Sequence, residues 1–246
     1  MDTGPRLWLS FAMCNEYLKR AAAANLAELF SEYGVPLRFD DATANRPVDE
    51  PIRPTERATI LRPLDPARPA AGLELVDLRW WLVPAFHKGP VKDWRAMSTN
   101  ARIETVDTSP AFKEAYRRRR CLVPLTSFIE YSEPAGWKKG QPKQRNEIGW
   151  AGDDIRFFAG LWDRSAPADF PEGLDSFAFI TGPAPTDMAA VHDRGPPVLT
   201  LDEGMAWLDL EGLGKASFET PPPAGTFEVR ISPREQLISP EMRRLL

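Results

Sequence analysis

Cysteine and histidine are scarce in this chain, two of each among 246 residues. Cys14 and Cys121 are too few for a disulfide framework and too far apart for a CxxC metal knuckle, and a zinc site would have to collect its ligands from scattered places. No metal and no other cofactor is expected. Long apolar runs are missing too: none approaches the roughly 20 residues of a membrane-spanning helix, so no membrane partner is expected. Nor is there a strong charge of one sign, because the formal net charge is −4 and the overall balance gives no hint of a polyanion. Sparse cysteine makes the cytoplasm the default compartment. What the chain does have is apolar side chains, 43% of its residues, enough to bury one large core.

Charge is unevenly placed. Between Arg102 and Arg145 there are ten Lys/Arg against five Asp/Glu, including the run Arg117, Arg118, Arg119, Arg120, which leaves the remainder near −9. Such a run reads equally well as a solvated helix face or as a contact for nucleic acid.

Periodicity predicts one amphipathic helix over 15–33, with Leu18, Ala22, Leu26, Leu29 and Phe30 on one face and Gly34 and Pro36 as the stop. The Pro-, Asp- and Arg-rich stretch 36–56 reads as an irregular loop. Strands are expected at 57–62, 73–83, 121–131, 155–162, 176–182 and 226–231, with short helices from Ser109, from about Pro185 and from about Asp202. The tail from "TPPPAG" onward looks loosely attached. Strands dominate and no βαβ rhythm appears, so the expected fold class is α+β, with a mainly antiparallel, barrel-like sheet and short helices packed outside.

The residues able to do chemistry sit at the edges of these elements. Cys14 follows Met13 just ahead of the first element. The stretch before it makes a poor secretory or lipoprotein signal: the apolar run 7–13 is short, only Arg6 precedes it, and Met13 is bulky where a small residue belongs. Glu130 ends an apolar strand, where half-burial would raise its pKa and suit it to proton transfer. His192 in "VHDRGPPVL" and Asn100 in "MSTNARIET" have structural readings as a satisfied histidine and a turn cap. One Cys, one Glu, one His and one Asn together have the makings of a site.

Read in order, these blocks resemble the SOS-response-associated peptidase family, the abasic-site-processing proteins. "MCNEY" is similar to that family's "MCGRY", "IRPTE" to "NIAPTQ", "RWWLVPAF" to "RWGLVPSW", "NARIET" to "NARSET", "RRCLVPLTSFIEY" to "RRCLVPADGFYEW", and "VHDRGPPVL" to "IHDRMPVIL", while "FAGLW" repeats a family block. The resemblance runs from Met13 to about Trp207. It implies one SRAP-like domain over 14–246, with 1–13 an extension that is non-native or removed.

The resemblance also implies a chemistry. Loss of Met13 would leave Cys14 with a free α-amine, whose ordinary pKa near 8 keeps a fraction neutral at pH 7. That amine would attack the aldehyde of an abasic site, and the thiol would close a thiazolidine ring, shielding the lesion as a DNA–protein cross-link in the DNA-damage (SOS) response and DNA repair. Carried over, Cys14 is the nucleophile, Glu130 opens the sugar, His192 acts as general acid and base, and Asn100 hydrogen-bonds the adduct. Arg102 and Arg194 would contact phosphate, Thr181 would line the pocket, and Trp80 and Phe86 would offer faces to bases, as suits single-stranded DNA. Weak lyase activity by β-elimination is implied. The alternatives are a cysteine (auto)peptidase, a hydrolase acting on the extension, and a noncatalytic single-stranded-DNA-binding module if the extension is retained. Three departures stand out: Asn15-Glu16 replaces Gly-Arg, Pro51 replaces Asn, and Trp81 replaces Gly.

Overall fold

The computed structural model describes residues 16–48, 50–150, 152 and 154–231. Along the chain run β1 (Glu16–Leu18), α1 (Ala23–Glu32), β2 (Leu37–Arg38), α2 (Asp41–Ala44), β3 (Arg57–Pro63), β4 (Leu73–Trp80) and β5 (Asn100–Arg102). There follow α3 (Lys113–Arg118), β6 (Arg120–Leu125), β7 (Ser127–Ser132), β8 (Gln144–Gly149), β9 (Arg156–Ser165) and β10 (Leu174–Pro183). The chain closes with β11 (Arg194–Gly195), β12 (Val198–Leu199), α4 (Leu201–Leu208) and β13 (Glu228–Ile231). Cys14, the extension 1–13 and Asn15 lie outside the described residues.

Strands β10, β4, β3, β6 and β9 pair in that order, and β9 pairs back onto β10 to close a barrel. The neighbours are antiparallel except β10 and β4, which run parallel with Phe177 beside Trp80. The expected α+β class with a mainly antiparallel barrel is what folds. Closure follows from period-two alternation. Ile60, Leu78, Trp80, Val123, Phe158, Phe177 and Phe179 belong to one buried cluster. Their neighbours Leu61, Leu75, Leu122, Phe157 and Ala178 belong to a second, with Leu26 and Phe30 of α1 and Trp207 of α4. Strands that bury both faces read as continuous apolar runs, as 121–125 and 157–161 do. Gly160 is required by its neighbours, since a Cβ there would meet the Cys121 sulfur at 2.8 Å and the Ala178 carbonyl oxygen at 3.3 Å.

A second antiparallel sheet, β1-β7-β8-β13, packs Tyr17, Phe128 and Ile148 into the same cluster as the barrel interior. Several expectations change here. The stretch 121–131 is two strands in two sheets, parted at Thr126, whose N–H donates to the Leu18 carbonyl at 2.9 Å. The predicted helix over 15–33 starts only at Ala23, because Glu16, Tyr17 and Leu18 pair with Ile129, Phe128 and Ser127; a partner strand outweighs local helix propensity. The loop 36–56 contains β2 and α2, the latter capped by Asp40, which accepts from Thr43 N–H at 2.8 Å. The helix expected at Pro185 is a single 3-10 turn, Thr186–Met188. The part of the tail up to Ile231 is anchored: the Asp187 carboxylate accepts from the N–H groups of Gly225 (2.8 Å) and Phe227 (3.3 Å), and β13 completes the second sheet, while the remainder lies outside the described residues.

The arginine run is taken apart by the fold. Arg117 and Arg118 are exposed beside Glu114, and Arg119 pairs with Asp163 at 3.1 Å. Arg120 is buried, donating to the carbonyls of Tyr116, Trp207, Asp209 and Leu213 between the rings of Tyr116 and Trp207. It is a staple for the end of α4, and no continuous basic ridge exists there.

Candidate active site

Strand β10 builds one wall of the site by exchanging partners along a single edge. Its N-terminal half pairs with the end of β4 and its C-terminal half with β5, placing Asn100 beside Phe179 and Arg102 beside Thr181. Between them the chain makes an excursion over 81–99 that leaves at Trp81 with φ of 139°. It returns at Thr99, whose carbonyl accepts from both Phe179 N–H (3.0 Å) and the Trp80 indole (3.1 Å). The excursion is pinned to the end of β9 and the following loop: Asp163 accepts from Ala85 N–H and Asp169 from Val91 N–H, each at 2.9 Å.

The opposite wall is the hairpin β7–β8, and the floor is the turn leading to β11. Together they enclose a cleft of about 710 Å³ lined by Asn100, Arg102, Thr181, His192 and Arg194, with Met97, Thr99, Tyr131, Ser132, Lys143 and Asp193 among its other walls. Asn100, Arg102, Thr181, His192 and Arg194, which the sequence nominates, are thus brought together. Glu130 is buried in β7 between Phe128 and Ser132 on the strand face turned to the barrel, directly opposite Asn146, whose amide donates to the Glu130 carbonyl at 3.2 Å.

Two nominations, Trp80 and Phe86, fall outside the lining of this cleft. Trp80 is fully buried, edge-on to Tyr17 at 5.5 Å and tilted against Phe179 at 4.8 Å, so it has no face to offer a base; it shapes the site from beneath, through Thr99. Alternation decides this, because Trp80 shares the inward face of β4 with Leu78. Phe86 is 56% exposed on the excursion, edge-on to Trp94 at 5.8 Å, and keeps a free face.

Charge in the cleft is partly compensated. Arg194 forms a bidentate pair with Glu104 at 2.7 and 2.8 Å and donates to the Thr181 carbonyl at 2.8 Å, fixing β11 to β10. That pairing holds the Glu104 carboxyl below the ordinary carboxylate range. Arg102 is exposed, while Lys143 reaches Glu133 at 2.9 Å. His192 sits with Nδ1 accepting from Arg194 N–H at 3.1 Å and 2.9 Å from the Asp193 carboxylate. Burial pulls its pKa below 6.5, Asp193 opposes, and Arg194 and Lys143 add to the depression. A neutral imidazole at pH 7 is suited to begin as a base. Cys121, by contrast, is sealed in the barrel, where burial drives its pKa upward and leaves the thiol inert.

Sequence reasoning missed Tyr131, Ser132 and Lys143. Tyr131 and Ser132 follow Glu130 directly on β7, a signal that was there to use. Lys143 reaches the cleft only because the hairpin folds back, and nothing in its neighbourhood announces that. Among the described residues no cluster of His, Cys, Asp and Glu is arranged to hold a metal.

This fold is known from crystals. A protein from Bacteroides thetaiotaomicron superposes with a TM-score of 0.74 over 93% of this chain and 96% of its own, at 21% identity. One from Bordetella bronchiseptica gives 0.68 over 89% and 100%, also at 21% identity. Residues 13–229 match the SOS response associated peptidase (SRAP) family, and the chain belongs to it. Relatives include the abasic site processing protein YoqW of Bacillus subtilis, 32% identical over 139 residues, and the abasic site processing protein HMCES of Gallus gallus, 30% identical over 152 residues. Each match takes in 55% of this chain, and it covers 57% of the first relative and 45% of the second.

Proposed function

We propose that this protein processes abasic sites in single-stranded DNA by trapping them covalently on Cys14. The observation that carries the reading is the cleft itself: Asn100, Thr181 and His192 converge beside Arg102 and Lys143, and the strand that follows Cys14 in sequence, β1, is paired to β7 where Glu130 is buried. The names of the relatives point to the same substrate.

The chemistry balances without a cofactor. The α-amine of Cys14 adds to the aldehyde carbon and one water leaves, giving an imine. The thiol then adds across the carbon–nitrogen double bond, forming a carbon–sulfur bond while the nitrogen takes up a proton, which closes the thiazolidine. Glu130 moves the proton that opens the sugar ring, neutral His192 relays protons during imine formation and ring closure, and Asn100 holds the adduct by hydrogen bonding. Arg102 and Lys143 attract the phosphates, an attraction that weakens with salt. Elimination from the imine would account for weak lyase activity.

All of this requires that Cys14 become N-terminal, either because translation begins at Met13 or because the extension is cut away. The family's description as a peptidase favours one further reading, in which Cys14 with His192 and Glu130 cleaves peptide bonds, beginning with its own extension. A denaturing gel with a single-stranded oligonucleotide bearing one abasic site separates these. The chain started at Met13 should shift the band, Cys14→Ala and the 246-residue chain with its extension intact should not, and acetylating the α-amine should abolish the shift. Cross-linking that survives acetylation would sink the imine route. A mature protein that retains residues 1–13 and binds undamaged strands equally well would leave only a noncatalytic binding module.

A further inference from the structure

Glu16 is a buried carboxylate held between two guanidinium groups. One oxygen accepts from Arg145 at 2.7 Å and the other from Arg53 at 3.0 and 3.2 Å, and its side chain is 5% exposed. Arg145 is itself largely covered, while Arg53 reaches in from the rim. The register explains the geometry. Glu16 lies opposite Ile129 on β7 and Tyr131 lies opposite Arg145 on β8, so Glu16, Tyr131 and Arg145 share one sheet face, with Tyr131 diagonal to Glu16 and Arg145 one strand further on, reaching back across β7. Arg145 also hydrogen-bonds Tyr131, a wall of the cleft. Glu130 and Ser132 occupy the other face of the same strand.

The clamp sits at the chain-start end of the described β1. β1 pairs with β7 over the described residues Glu16 to Leu18, and on its other edge Tyr17 exchanges both backbone hydrogen bonds with Ile52, at 2.9 and 3.1 Å. The two ion pairs add a side-chain hold at Glu16 itself, two positions along the chain from Cys14. Charge is not lost here either, because two arginines and one carboxylate leave the cluster with a net single positive charge.

We infer that the Arg53–Glu16–Arg145 clamp is a positioning device for the N-terminal nucleophile, tying the strand that follows Cys14 in sequence to the cleft wall at Tyr131. Glu16 and Arg145 act through β1 and touch no DNA. This rests on the reading of Cys14 as the cross-linking residue. A reacting group displaced by about 1 Å loses on the order of a hundredfold in rate, so a loosened Glu16 should be felt at the chemistry and not at binding.

The test is single-turnover cross-linking at saturating abasic oligonucleotide, beside affinity for the same strand undamaged, in the chain started at Met13. Glu16→Gln should slow cross-linking by about tenfold or more while undamaged-strand affinity stays within a factor of about two. Glu16→Asp should recover part of the rate. Arg145→Gln should behave as Glu16→Gln does, and the double variant should be no slower than the worse single, as for two halves of one device. Glu16→Gln at the parental rate would overturn the inference while the cross-linking reading stands. So would a loss confined to DNA affinity, which would make the clamp a phosphate contact. If the parental chain does not cross-link at all, the reading falls and the inference with it.

Discussion

Inside the barrel the strands meet over rings: Trp80 against Phe179, Phe158 edge-on to Phe179 at 5.0 Å, and Phe128 edge-on to Phe158 at 5.4 Å. On the outer face of the small sheet β1-β7-β8-β13 they meet over charges. Glu16 lies between Arg53 and Arg145, and Glu147 accepts from Ser127 at 2.7 Å beside Arg20. The barrel is held by burial, which is non-directional and is not weakened by charge screening. The small sheet buries its inner face in the same cluster, through Tyr17, Phe128 and Ile148, and adds on its outer face geometry-dependent pairs whose exposed members are screened. The candidate cleft lies where the two meet, with β5 and β10 from one and the β7–β8 hairpin from the other. The barrel thus carries one wall, and the other, anchored by Phe128 and Ile148 beneath, is trimmed by outer-face polar contacts that substitution can loosen without unfolding the protein.

The sharpest way to break this contrast is at Trp80. Trp80→Ala empties the barrel beside Tyr17, Phe177 and Phe179 and frees the Thr99 carbonyl of one of its two donors. A cost of about 3–5 kcal/mol is expected, read as a lowered urea midpoint with an unchanged slope. A loss below about 1 kcal/mol would mean that the barrel interior is not the structural core described here.

How far the fold was legible follows the same divide. The barrel strands announce themselves because burial on both faces leaves apolar runs such as "FFAGL" and "CLVPL" that need no partner to be recognised. The small sheet does not. β8 reads "QRNEIG", in which only Ile148 is apolar, and its strand character comes from pairing with β7 on one side and β13 on the other. β1 sits inside a string of helix formers and is claimed by β7. In the site, Asn100, Arg102, His192 and Arg194, which line the cleft, were legible through motif blocks, and Thr181, in no such block, only through its likeness to a family threonine. Trp80 sits in an equally recognisable block but points inward, and a motif does not record which face of a strand a ring occupies. Arg194 shows a different limit, because its partner Glu104 lies ninety positions away and only the fold brings them together.

A smaller effect sharpens the comparison at the junction itself. Trp81 adopts φ of 139°, where side chains are strained by roughly 1–3 kcal/mol and glycine is not. Its indole donates to the Ala96 carbonyl at 3.0 Å, which repays part of that strain. Trp81→Ala loses the hydrogen bond and keeps the strain; Trp81→Gly loses both. Glycine should therefore be the more stable variant by about 1 kcal/mol, the reverse of the usual order. Thermal denaturation of the pair decides it, and an alanine variant more stable than the glycine one would show that the excursion relaxes freely and is not braced by the barrel.

The smallest expected effect lies at His192, where both regions act on one ring. Burial against the barrel side lowers its pKa, Asp193 raises it, and Arg194 and Lys143 lower it further, Lys143 reaching in from the small sheet's hairpin. With two histidines in the chain, the imidazole signals in a proton NMR titration are readily assigned using His87→Gln. The His192 midpoint should fall below 6.5, Lys143→Gln should move it up, and Asp193→Asn should move it down. The linkage has a definite sign. The unfolded chain binds the proton more tightly, so this group's contribution to stability is complete above about pH 6.5 and is lost as pH falls toward the folded value. On the proposed route the cross-linking rate follows the neutral fraction of the Cys14 amine as pH falls below about 8, and protonation of His192 should add a further, steeper loss only as its depressed midpoint is crossed. If Lys143→Gln leaves the midpoint in place while Asp193→Asn shifts it, the hairpin does not act on the ring, and the electrostatic field of the site is set by the barrel side alone.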